Sequence, residues 1–226
     1  MYANFIRDNA VADPEVIFPA VSLVTSGGHT ELYLMKNPQT LTWLGGTLDD
    51  AAGEAFDKTA RLLGFGGGGG GAIQAAAQRT GTRNIPKRAV LPRPLLRDDS
   101  LNFSFSGLKT AVMKNWGKTR HTEKNAEALA YEIQEAITDV LCTKTIRAAL
   151  RYGAGSILVS GGVAANSRLR DKFTKACRGH FRLHVPPVRY CTDNAVTIAA
   201  CAYFRNHPQP WKSVVARPDL SVEIAD

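Results

Sequence analysis

The chain has 226 residues, 44% of them hydrophobic and 21% charged, a balance that excludes a disordered segment and fits one large domain or one domain with an insertion. No apolar run approaches the ~20 residues of a bilayer span, Met1 to Phe5 make no signal peptide, and four cysteines without a CxxC pair exclude a zinc finger and read as reduced cytosolic thiols. Lys and Arg number 28 against 20 Asp and Glu, a net +8 that points to a polyanionic partner, with a basic surface kept for solubility as the alternative.

Ala12-Asp13-Pro14 reads as a linker. Residues 18–25 are a β-rich apolar run stopped by Ser26-Gly27-Gly28, residues 30–35 return, and residues 41–44 follow; three strands joined by short turns predict an antiparallel meander. A helix comes next. Asp49 and Asp50 stand where carboxylates offset its dipole, and Ala51, Ala52, Ala55, Phe56, Ala60, Leu62 and Leu63 supply an apolar face. Asp50, Glu54, Asp57 and Arg61 share another face, with Glu54–Lys58 and Asp57–Arg61 as expected i,i+4 pairs. Alone, that stripe reads as a solvated helix face.

Residues 66–71 are six consecutive glycines, either a flexible loop or a place where backbone must come close to something. Residues 79–97 carry Arg79, Arg83, Lys87, Arg88, Arg93 and Arg97 without an acid, interleaved with Pro86, Pro92 and Pro94. The prolines predict an extended segment. It would follow a phosphate backbone, with Arg88 and Arg93 contributing to the salt dependence, or serve as a soluble loop. Residues 103–107 open a further helix, and a long helical pattern runs from about 124 to 152, closed by Gly153 and Gly155. A strand at 156–160, a Gly161-Gly162 turn, a helix near 167–176, a strand at 181–185 and a helix from Asp193-Asn194 to Phe204 complete the chain. The order βββα, a helical stretch, then βαβα predicts an α/β fold. It is the element order of a ribonuclease-H-like lobe of the actin/Hsp70-like (ASKHA) ATPase fold, so a mixed sheet flanked by helices with a helical insertion is expected.

Val24-Thr25-Ser26-Gly27-Gly28 and Val159-Ser160-Gly161-Gly162 both place Ser-Gly-Gly directly after an apolar strand. A glycine pair there lets backbone amides approach phosphate or carboxylate oxygens. Two such turns in one α/β chain point to a nucleotide held in a cleft, one turn near phosphate and the other near the nucleoside. There is no P-loop and no Rossmann fingerprint. Asp193 is either the N-cap of the last helix, the reading the sequence alone favours, or a metal ligand at a strand-to-helix junction. His29, His121, His180, His184 and His207 form no HxxxH or HExxH pair.

Five segments occur in order: Ser26-Gly27-Gly28-His29-Thr30-Glu31-Leu32, the run from Asp49 to Lys58, Phe103-Ser104-Phe105-Ser106-Gly107-Leu108-Lys109-Thr110, Ser160 to Asn166, and Tyr190-Cys191-Thr192-Asp193-Asn194. Together they resemble the TsaD (Gcp) family, the tRNA N6-adenosine threonylcarbamoyltransferases, over roughly residues 15–205. The resemblance implies a two-lobed actin-like fold. It also implies transfer of a threonylcarbamoyl group from threonylcarbamoyl-adenylate to the N6 amine of the adenosine beside the anticodon, in tRNAs reading ANN codons. By motif position, Val24, Thr25, Ser26, Gly27 and Gly28 would form the substrate-binding loop. Asp57 and Asn166 would bind the adenylate, Gly70 would contact substrate, and Asp193 would be a ligand of a divalent metal, one Fe2+ per subunit. The implied partners are tRNA, threonylcarbamoyl-AMP and TsaB-like and TsaE-like helper subunits, with no membrane, in the cytoplasm.

The same resemblance organises the chain as an amino-terminal remnant (1–14), a Gcp-like domain (15–210) with a helical and basic insertion at about 66–152, and a tail (211–226). It also marks departures. The family's HxxxH metal motif would precede Tyr2-Ala3-Asn4-Phe5-Ile6, so both histidine ligands and the first lobe are expected to be missing, as in a truncated product with little independent activity. The family's Tyr-Pro-Gly-Gly-Pro stretch is glycine here, which predicts a soft loop, and Gln74 stands where many members carry an acid. The rival reading is a truncated, non-catalytic nucleotide-binding scaffold of the same family; the older metalloprotease label is the least favoured.

Overall fold

The computed structural model describes residues 1–7, 10–11, 16–80, 90–206 and 208–216. The linker-like Ala12-Asp13-Pro14, the basic residues Arg83, Lys87 and Arg88, Pro86, His207 and much of the tail lie outside the described residues. A short antiparallel ribbon, β1 (Ile6–Arg7) with β2 (Ala10–Val11), precedes the main sheet. Strands β3 (Ala20–Thr25), β4 (Thr30–Asn37) and β5 (Thr40–Gly46) form the expected antiparallel meander. β6 (Ser156–Ser160) pairs in parallel with the other edge of β3, and β7 (Arg182–His184) pairs in parallel with β6, giving the order β5-β4-β3-β6-β7. Only β4 runs against the other four, which is the ribonuclease-H-like arrangement read from the element order.

Alternation along the strands builds two faces. Val21, Leu23, Leu32, Leu34, Ile157 and Val159 join one apolar cluster, while Ala20, Met35 and Leu158 join another. The first is covered by α1 (Ala52–Leu62), α2 (Gly69–Thr80), α3 (Ser106–Trp116), α4 (Glu123–Arg151) and α5 (Ser167–Cys177). The second is covered by a 3-10 turn at Tyr2–Phe5 and by α6 (Ala195–Arg205), where the Phe5 and Phe204 rings lie 4.8 Å apart.

The 29-residue α4 is buried on most of its circumference, and its buried ions are matched. Glu132 accepts from Arg93 Nη1 at 3.0 Å, and Glu135 accepts from Arg168 at 2.6 and 2.8 Å. Burial opposes ionisation of Glu135, but Arg168 and Lys172 outweigh it and hold the carboxyl below its ordinary range. Lys144, fully buried, donates to the Ser100 carbonyl at 2.8 Å, and Arg147 and Arg151 donate to the carbonyls of Asp98, Leu96 and Asp99. This matching follows from the cost of burying an unpaired charge. It also changes the reading of Arg93. Its guanidinium bonds Glu132 and, at 3.0 Å, Asp139, so it works inside the fold and is not a free phosphate contact.

The start of α1 differs from expectation. Its N-cap is Ala51, with no side-chain cap. The first donors are taken by the sheet instead: Ala52 N–H bonds Thr30 Oγ1 at 2.8 Å and Gly53 N–H bonds the Ser26 carbonyl at 3.0 Å. Asp49 serves another helix. Its carboxylate accepts from Ser104 Oγ at 2.6 Å, from Phe105 N–H at 2.7 Å, and from Ser106 N–H and Oγ at 3.1 and 2.8 Å, capping α3 from a distance of more than fifty residues. The expected Glu54–Lys58 pair forms at 2.7 Å, with Asp50 on the same ammonium, whereas the Asp57–Arg61 pair does not form.

Partial burial works against ionisation of Asp49, but the bonds from Ser104, Phe105 and Ser106 prevail and lower its pKa. A lowered folded-state pKa contributes stability that is present above the ordinary carboxyl range, about pH 4, and disappears as the pH falls through the folded value. Asp49→Ala is expected to destabilise the fold by about 1–2 kcal/mol at neutral pH and to flatten the acid limb of stability. Urea unfolding between pH 3 and 7 measures both effects; an unchanged midpoint and unchanged acid limb would remove the cap.

Candidate functional site

Parallel pairing sets β3 against β6 with Val24 opposite Ser160, so the two Ser-Gly-Gly turns leave neighbouring strands at the same end. Ligands in α/β sheets gather in crevices outside such carboxyl ends. The turns are in close contact. Gly161 has φ +93°, and a Cβ there would fall on the Thr25 carbonyl, so this position demands glycine on two counts. Gly53 of α1 closes on the first turn in the same way, its Cα facing the Ser26 carbonyl and the Gly27 backbone.

Beside the turns lies a cleft of about 460 Å3, within the range of small-molecule sites. Of the residues expected at the site, the structure brings Gly27, Asp57, Gly70 and Asn166 to its walls. Gly162, of the second turn, is there too. Val24, Thr25, Ser26 and Gly28 do not line it. Thr25 is buried with its hydroxyl unpartnered, and Ser26 Oγ accepts the His29 N–H at 3.1 Å, holding the turn shut. Gly27 and Gly28 are exposed, and their N–H groups make no hydrogen bond among the described residues.

Asp57 is half-buried and makes no ion pair or hydrogen bond among the described residues, leaving its carboxylate as an open acceptor in the cleft. Its neighbour is the glycine run. Gly69, at φ +21°, starts α2, and a Cβ there would coincide with Asp57 Oδ1. Gly70 packs on Phe56. The expected soft loop is therefore, in its second half, the first turn of a helix seated on Asp57 and Phe56. Gln74 on that helix accepts from Ser167 N–H at 2.8 Å and Ser167 Oγ at 3.2 Å, so an acceptor acts there as a carboxylate would.

Asn166 has structural duties as well as a place in the wall. Its Oδ1 accepts Leu169 N–H at 3.0 Å as the N-cap of α5, and its Nδ2 donates to Gln134 Oε1 at 3.0 Å. One amide hydrogen remains for a ligand. Gly53, Phe56 and Thr192 also line the cleft and were not expected there. The spacing of Gly53, Phe56 and Asp57 at i, i+3 and i+4 was the available signal, because it sets all three on one helix face.

Asp193 is exposed beside Thr192, and the cap of α6 is Asn194, whose Oδ1 accepts Thr197 N–H at 3.0 Å. The cap reading of Asp193 is thereby corrected by one residue. Among the described residues no three of His, Cys, Asp and Glu converge as a metal-binding group. A divalent ion needs several ligands, so the described residues do not fit the expected iron. Burial pushes the Cys142 thiol up to about 12 and the Cys177 thiol up to about 11, which makes both poor nucleophiles and poor ligands at neutral pH. Among the described residues no helix is long and apolar enough to cross a membrane.

The sheet order and its flanking helices define a lobe of the actin/Hsp70-like ATPase class. The model of the TsaD family, tRNA N6-adenosine threonylcarbamoyltransferase, matches residues 3–200, and the chain belongs to that family. Curated tRNA N6-adenosine threonylcarbamoyltransferases are similar to it. That of Syntrophomonas wolfei is 46% identical over 206 residues (90% of this chain, 58% of the relative), and that of Moorella thermoacetica is 45% identical over 225 (97% and 63%). That of Bacillus subtilis is 46% identical over 202 residues, covering 88% of this chain and 57% of the relative. The chain thus spans less than two thirds of the length of these relatives.

Seating α2 on Asp57 makes opposite demands on two glycines of its first turn, Gly69 and Gly71. Gly71→Ala meets open space in a helical turn and is expected to stabilise by about 0.5–1 kcal/mol. Gly69→Ala drives a methyl into Asp57 and is expected to destabilise by about 1 kcal/mol or more. Denaturant midpoints of the two variants check this, and equal shifts of one sign would contradict the packing.

Proposed function

We propose that this chain, as a Gcp-like lobe over residues 15–210, binds threonylcarbamoyl-adenylate in the cleft between its glycine turns. There it takes part in transfer of the threonylcarbamoyl group to the N6 amine of the adenosine beside the tRNA anticodon. Family membership supports the reaction class, and the observation that carries the binding reading is the bare Gly27 amide and the Asp57 carboxylate, unpartnered among the described residues, in a single cleft. The Gly27 amide at the cleft wall suits a phosphate oxygen, with the exposed Gly28 amide next to it in the same turn. A carboxylate repels phosphate and accepts from hydroxyls, so Asp57 suits the ribose. The free hydrogen of Asn166 Nδ2 offers one further donor. Val24 and Thr25 act from behind, fixing the strand end from which the first turn springs.

The chemistry asks for little beyond placement. The adenosine nitrogen attacks the carbamoyl carbon, a C–N bond forms, and the bond from that carbon to the phosphate oxygen breaks. AMP leaves with the electron pair, and the amine proton is released. Such a step is accelerated by holding the two reactants in line and by donors aimed at the oxygen on which charge grows. In this reading tRNA and the adenylate are the partners, TsaB-like and TsaE-like subunits are the helpers, and the cytoplasm is the compartment. The second reading, a non-catalytic nucleotide-binding scaffold, rests on one observation: Asp193 has no companions for a metal set among the described residues. Single-turnover transfer to tRNA separates the two, since both require adenylate binding and only the first yields modified adenosine.

Because Asp57 has no ion-pair or hydrogen-bond partner among the described residues, Asp57→Ala is expected to weaken AMP binding more than tenfold, about 1.4 kcal/mol, while stability changes by less than about 0.5 kcal/mol. Calorimetric titration and urea unfolding of the same variant provide the check. Equal losses in both would make Asp57 a structural residue.

A further inference from the structure

Many cations of the described residues are engaged by the fold: Lys58, Arg93, Arg168 and Lys172 form ion pairs, and Lys144, Arg147, Arg151 and Arg170 donate to backbone carbonyls. Single cations such as Arg61 on α1 and Lys175 on α5 make no ion pair among the described residues. A cluster of unengaged cations spans α3, the turn after it and the start of α4. Lys109, Lys114 and Lys118, then Arg120 and Lys124, are exposed and make no ion pair or side-chain hydrogen bond among the described residues. Over residues 109–124 one acid, Glu123, stands against these five cations.

Helix physics does not account for the set. Lys114 lies in the last turn of α3, where a cation complements the dipole. Lys109 lies near the opposite end, where a cation is disfavoured, and Lys118, in the turn beyond the helix, adds a second positive charge close to Lys114 with no acid beside either. A groove of about 400 Å3 runs between the two lysines, lined by Lys114, Asn115, Lys118 and Thr119 with Ala111. Beside it the exposed His121 ring stacks on the half-buried Trp116 at 4.3 Å and 4° between planes, an arrangement that holds the imidazole as an aromatic surface next to the lysines. Uncompensated lysines around a groove, next to a stacked aromatic pair, are complementary to a nucleic-acid backbone.

We propose that this α3 face is where the phosphate backbone of the RNA substrate rests, with Lys114 and Lys118 as the central contacts. The proposal rests on the tRNA reading above and assigns it a surface. It replaces Arg93, which the fold consumes internally. Asp49 ties the surface to the adenylate cleft, since the carboxylate that caps α3 lies three residues before α1. RNA held on α3 is thereby kept in fixed relation to Gly53 and Asp57.

The test is anisotropy titration of unmodified tRNA with the full chain across a salt series, paired with calorimetric AMP binding. The variants are Lys114→Gln/Lys118→Gln and, as a control at the C-terminal end of α5, Lys175→Gln/Arg178→Gln. The α3 variant is expected to lose about tenfold in tRNA affinity and to reduce the slope of log K against log salt by about 1.5, as the loss of two phosphate contacts requires. Its AMP affinity and melting temperature should stay unchanged. If the wild-type chain binds tRNA and the α3 variant keeps the wild-type slope, the surface assignment is overturned while the tRNA reading stands; the same holds if the α5 control alone loses the slope. If the wild-type chain binds AMP but no tRNA even at low salt, both the reading and the surface fall.

Discussion

Because β3 and β6 run parallel and in register, the glycine turns that follow them emerge side by side, and every other feature of the cleft is built around that adjacency. The register is held by burial. Ile157 and Val159 face the large core and Leu158 the small one, so a slip of one residue would exchange the two sets and expose apolar surface on both sides of the sheet. With the register fixed, Gly161 must pass directly over the Thr25 carbonyl, and no side chain fits between them. The absence of a Cβ at three contacts, Gly161 on Thr25, Gly53 on Gly27 and Gly69 on Asp57, lets two strands and two helices reach one small volume.

The electrostatics follow from which donors the fold has already used. A helix N-terminus is an obvious anion site, yet the first donors of α1 are bonded to Thr30 and Ser26 and are closed to a ligand. Among the described residues, the first turn offers open donors at Gly27 and Gly28, and Asp57 is an open acceptor. In the proposed reading, the anionic end of a nucleotide would meet the first-turn amide and its hydroxyl-bearing end the Asp57 carboxylate. The remaining charge of the molecule divides likewise. Buried ions on α4 are matched one by one, while the cations of α3 are left without partners among the described residues.

Much of this was legible in the sequence, for reasons that lie in local physics. Strand alternation and the Ser-Gly-Gly stops gave the sheet, and the doubled turn gave the cleft. What stayed hidden depends on distant parts of the chain. Six glycines carry no helix propensity, so α2 begins where it does because Asp57 and Phe56 receive it. Asp49 looks like a first-turn carboxylate of the nearest helix, but its partners Ser104 and Ser106 lie more than fifty residues away. Arg93 reads as part of a basic strip until α4 supplies Glu132 and Asp139. Asn166 was read as a ligand contact, and its capping bond to Leu169 adds a structural role that spacing alone does not reveal.

The most direct measurement of the central claim is an amide-resolved NMR titration of the chain with AMP. The account predicts saturable shifts concentrated at Gly27, Gly28, Gly70 and Gly162, with residues of β1 and β5 unmoved. Saturable binding whose shifts avoid both glycine turns would contradict it.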